Sequence, residues 1–79
     1  MTKANLARLE TLYNGFYSAL YIDLITTPDA SNYFDYYMEH NPRFAAAVTE
    51  FGDHRKDRIT SDREAAAFYL AYYALVEAV

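Results

Sequence analysis

Apolar residues return every third or fourth position along most of this chain, the period of a helix face, and no segment settles into the alternation of a half-buried strand. The pattern is densest from Thr60 to Val79, TSDREAAAFYLAYYALVEAV, where Glu77 is the single charge over the last fifteen positions. Ala65, Phe68, Tyr72, Leu75 and Val79 mark one helical face, and Ala66, Tyr69, Tyr73 and Val76 a second beside it. A helix apolar over so much of its circumference must be covered on several sides. Ser61 three residues ahead of Glu64 is the capping-box spacing that opens such a helix. The pattern therefore predicts a central helix over 61–79.

Upstream, Leu6, Leu9, Tyr13, Phe16, Leu20 and Leu24 step by three and four and predict one long helix over 2–25. Its interior glycine, Gly15, costs about 1 kcal/mol relative to alanine. Such a residue implies a neighbour packed close against it or a local kink, and tight packing is the expected reason here. Thr27 as N-cap with Pro28 at the first helical position starts a second helix, 28–40, because the residue before proline is biased out of the helical region. Ala30, Phe34, Tyr37 and Met38 face inward there, with Asn32, Asp35, Tyr36 and Glu39 opposite. Asn41-Pro42 repeats the device and opens a third helix, 42–51, with Gly52 where a left-handed cap is expected. The expected core comprises Leu9, Phe16, Leu20, Phe34, Phe44, Val48, Phe68, Tyr72 and Leu75. The fold class is all-α: a compact bundle of about four helices with the C-terminal one central.

Length fits one domain, residues 1–79. With no cysteine, disulfides are excluded, and two histidines make a structural zinc site improbable. Stability must come from packing, and 53% apolar residues with nine tyrosines and five phenylalanines supply it. Lys3 and Arg8 are interspersed with Asn5 and followed by Glu10, with no continuous apolar run after them, so no signal peptide is read. The C-terminal run is short for a bilayer and carries tyrosines at its centre. A soluble cytoplasmic protein is expected.

Chemistry-bearing motifs are scarce. Glu39-His40, and Asp53-His54 with Asp57, match neither zincin nor calcium-loop spacing and read as surface residues, and no metal or other cofactor is expected. Ser18, Ser31 and Ser61 lack an elbow motif, and glycines at 15 and 52 alone cannot form a phosphate loop. An enzyme is the least supported class. Arg55, Lys56 and Arg58 are interleaved with carboxylates, so direct nucleic-acid binding is not expected; pairs such as Asp53 with Lys56 and Arg58 with Asp62 are.

Charge distribution is more informative. Between Arg8 and Arg43 there is no lysine or arginine, while Glu10, Asp23, Asp29, Asp35 and Glu39 all fall there, together with six of the tyrosines. Tyrosine combines contact area with low entropy cost, and carboxylates steer a basic partner. The candidate partner-binding residues are Asp23, Asp29, Asn32, Asp35, Tyr36 and Glu39. In this profile, cysteine-free, acidic, tyrosine-bearing and without a catalytic signature, the chain resembles the small phage-encoded inhibitors of bacterial defence, anti-CRISPR proteins and DNA-mimicking anti-restriction proteins. That group shares no common fold or motif, so the resemblance is one of overall composition and assigns no residue. It implies a mechanism in which carboxylates spaced like phosphates occupy the basic groove of a nucleic-acid-binding complex. The alternative is a homo-oligomeric helical interaction module without nucleic-acid mimicry, because the last helix is too apolar for three short partners to cover.

Overall fold

The computed structural model describes residues 1–19 and 26–77. Four helices make up the bundle: α1 Lys3–Ala19, α2 Thr26–His40, α3 Pro42–Arg55 and α4 Asp62–Glu77. Among the described residues there is no strand. The molecule measures 33 × 26 × 25 Å. α4 packs most extensively on α2 and α1, which makes it the central element, and α3 closes the bundle against α2.

Local sequence explains the boundaries. Thr2 Oγ1 accepts from the Asn5 N–H at 3.1 Å and starts α1. The Asn41 N–H closes α2 by donating to Tyr37 O at 2.9 Å, while Asn41 Oδ1 accepts from the Phe44 N–H at 3.1 Å, so one residue ends one helix and caps the next. Ser61 Oγ accepts from the Glu64 N–H at 3.2 Å, and Glu64 Oε1 in turn accepts from the Ser61 hydroxyl at 3.0 Å and the Thr60 N–H at 3.4 Å. The capping box is formed, with its return bond displaced by one residue.

Several boundaries differ from expectation. α1 is described only to Ala19; the rest of the expected first helix, including Leu20, Tyr21 and Asp23, lies outside the described residues. Thr27 is not a cap: the helix begins at Thr26, and the Thr27 hydroxyl is buried without a hydrogen-bond partner among the described residues. α3 runs through Gly52 to Arg55, and Lys56 takes the left-handed capping conformation, φ 58°, with its N–H directed to Gly52 O. Tertiary contacts hold that extra turn, since the Arg55 guanidinium lies 4.6 Å from the Tyr13 ring centroid and 5.1 Å from that of Phe51. Gly15 has no described atom within 4 Å of where its Cβ would stand, so close packing is not why glycine occurs there.

The core is a cluster of phenylalanines seated on alanines. Phe68 contacts the rings of Phe34, Phe44 and Phe51 at centroid distances of 6.0, 5.3 and 5.3 Å. Ala65, Ala66, Ala67 and Ala71 are buried, which lets α1 and α2 approach the α4 backbone. Leu9, Phe34, Phe44, Phe68 and Leu75 are buried as expected; Phe16, Val48 and Tyr72 pack against the core while remaining partly exposed.

Candidate functional site

α2 lies on the bundle with one half of its circumference and shows the other half to solvent. Ala30, Ser31 and Phe34 are buried, with Thr27 and Tyr37 half-buried beside them. Ser31 donates to Asp62 Oδ1 at 3.3 Å and so ties this face to the start of α4. Asp29, Asn32, Asp35, Tyr36 and Glu39 are all exposed. At about 100° per residue they fall within about 120° of arc. The structure thus brings five of the six expected partner-binding residues onto one face; the sixth, Asp23, lies outside the described residues. Among the described residues neither Asp29 nor Asp35 has an ion-pair partner, and Glu39 has only His40, at 3.8 Å.

Aromatic rings border these carboxylates. Tyr36 is 57% exposed, with its ring 4.4 Å from that of His40 and 5.7 Å from that of Tyr37. Tyr33, 55% exposed, stacks on Tyr69 at 5.5 Å, and Tyr69 also stacks on Tyr37 at 5.6 Å and contacts Tyr73 at 6.0 Å. An aromatic seam therefore runs from α2 onto α4. Sequence reasoning missed the part played by Tyr69 and Tyr73. Their signal was the second apolar face of the last helix, which read as surface awaiting cover.

The tyrosines of α1 do not join this surface. Tyr13 is buried against Phe51, and burial pushes its hydroxyl above the ordinary value of 10.0, an effect the adjacent Arg55 guanidinium only partly offsets. Tyr17 carries the Arg63 guanidinium at 3.7 Å from its centroid, and Arg63 Nε donates to the Tyr17 carbonyl at 2.8 Å. These contacts fasten α1 to the other helices. Glu10 also serves the fold, paired with His54 at 2.9 Å. The exposed acidity that was expected across the first two helices is thus, in the described residues, a property of α2.

Two other places could hold chemistry. A cleft of about 740 Å³ lies between α2, α3 and the connection to α4. Phe34, Val48 and Ile59 form its apolar floor, and Met38, expected inward, is exposed at its mouth. Lys56 and Arg58 stand on its rim with Asp53 and Asp57, so the cleft selects no charge. The second place is the Arg55 cluster, where Nη2 lies 3.3 Å from Asp57 Oδ2 and 3.8 Å from Glu64 Oε2. Arg55 makes these contacts in place of the expected pairs Asp53 with Lys56 and Arg58 with Asp62, neither of which forms among the described residues. Burial pushes the Glu64 carboxyl up, but hydrogen bonds from Ser61 and Thr60 and the charge of Arg55 outweigh it and hold the group below its ordinary 4.5. This cluster joins α3 to α4.

No protein-family model matches the chain, and comparison with curated proteins and with solved structures finds no match. Among the described residues no helix is long and apolar enough to cross a membrane.

Proposed function

We propose that this protein is a non-enzymatic binding module whose α2 face occupies a basic, nucleic-acid-binding surface of a target complex, in the manner of anti-CRISPR and DNA-mimicking inhibitors. The observation that carries the reading is the coincidence on one helix face of carboxylates without lysine or arginine partners among the described residues and tyrosines open to solvent. Magnitudes define how such mimicry would work. Asp29, Asp35 and Glu39 span about 15 Å at 1.5 Å per residue. A single nucleic-acid strand sets one phosphate about every 3.4 Å, so α2 offers roughly half that charge density. Electrostatics then steers and orients, and the tyrosines must supply contact area.

The test is capture of a partner from a bacterial lysate followed by competition with DNA. Reversing Asp35 and Glu39 to lysine should slow association and weaken the complex about tenfold or more at low salt, a loss that shrinks as salt rises, with helicity unchanged. Tyr36→Ala should instead raise the dissociation rate, because contact area is not screened. Unchanged capture by the reversed variant, or simultaneous binding of DNA at the same groove, would refute the reading. A second reading, self-association, is favoured by Tyr73 and Val76, which remain 48% and 53% exposed on α4.

A further inference from the structure

The α2 face offers more than negative charge: exposed tyrosine rings stand among its carboxylates. Tyr33 is backed by Tyr69, nearly parallel at 16° between ring planes, and Tyr69 is backed by Tyr37 at 15°. A ring held in such a stack has little freedom to turn, and its exposure leaves ring surface available to a partner. Asp29 precedes Tyr33 by four residues and Glu39 follows Tyr36 by three, the two spacings that bring side chains together on a helix. Each exposed ring thus has a carboxylate within one turn.

An ammonium is a compact, strongly hydrated charge that gains little from a flat ring in water, whereas a guanidinium is planar, weakly hydrated and able to stack and bond a carboxylate at once. The fold already treats its own cations this way. Arg63 lies over Tyr17, and Arg55 lies over Tyr13 and Phe51 with carboxylates of Asp57 and Glu64 at its edge. We infer that the α2 face is a guanidinium-binding surface: the basic partner presents arginine, which stacks on Tyr33 and Tyr36 while Asp29, Asp35 and Glu39 accept its N–H groups. This rests on the reading that the partner is basic, and it narrows the partner to an arginine-bearing surface or segment.

The full chain should be titrated by fluorescence anisotropy with nona-arginine and with nona-lysine, peptides of equal length and charge. Nona-arginine should bind about fivefold tighter, the gain expected from stacking on exposed rings. The gap should fall below about twofold in the Tyr33→Leu, Tyr36→Leu double variant and persist in the Tyr33→Phe, Tyr36→Phe variant, with circular dichroism confirming that both remain helical. Equal affinity for the two peptides, with loss on reversing Asp35 and Glu39, would overturn the arginine assignment and leave the basic-partner reading standing. Binding of neither peptide would overturn both. An arginine preference that survives the leucine substitutions would also overturn the assignment, since the rings would then not be its source.

Discussion

Gly15 occupies the middle of α1, yet its missing side chain serves no contact among the described residues. It carries an ordinary helical φ, so alanine fits without backbone strain. Gly15→Ala should therefore stabilise the protein by up to about 1 kcal/mol, through a smaller entropy loss on folding. For a domain of this size that is a rise in melting temperature of about 4–8 °C, readable by thermal circular dichroism. A fall in melting temperature would show that something packs there after all. Sequence alone suggested the opposite reason for the glycine, because an interior glycine is equally compatible with a close neighbour and with none. The phenylalanines were more legible. Phe34, Phe44 and Phe68 sat on apolar periods and are buried, and Tyr13, on the apolar stripe of the first helix but not among the expected core residues, is buried as well.

Among the described residues, the start of α4 is the most densely bonded helix end. Glu64 gathers the Ser61 and Thr60 hydroxyls, the Thr60 N–H and, more distantly, Arg55. Its carboxyl titrates below the ordinary 4.5 in the folded protein, so the charged form is the one folding favours. The contribution is fully present above about pH 4.5 and is lost as pH falls through the lower folded value. Glu64→Gln should accordingly cost on the order of 1 kcal/mol at pH 7. The difference from wild type should narrow below pH 4.5, measured as melting temperature against pH; a gap independent of pH would remove the carboxylate from the account. The capping box was visible in the sequence as Ser61 and Glu64. The length of α3 was not, because a glycine at a plausible end outweighed an anchor, Arg55 on Tyr13, that exists only once the chain is folded.

The exposed apolar surface of the described residues bears on whether copies of the chain associate. Tyr33, Tyr36, Tyr73 and Val76 together expose roughly 400 Å² if a tyrosine presents about 200 Å² in full. That lies within the range of patches on ordinary monomers. Sedimentation at micromolar concentration should therefore return a monomer, which would remove the self-association reading; a dimer would sustain that reading without excluding inhibition by a dimer. The sequence conveyed the all-helical class and the central place of the last helix through periodicity alone. It could not show that Tyr69 would lie between Tyr33 and Tyr37, since Tyr69 follows them in the chain by 36 and 32 residues and meets them only when α2 and α4 pack.

The division of labour between the two halves of α2 has a consequence for how such a protein can change. Ala30, Ser31 and Phe34 meet the bundle, while Asp29, Asn32, Asp35, Tyr36 and Glu39 contribute no buried contact to it. Substitutions at exposed positions of this kind usually alter stability by less than about 0.5 kcal/mol. Under the proposed reading, recognition and foldability are thus separately mutable: the outer face can be rewritten to follow a drifting target while the scaffold that presents it is inherited unaltered.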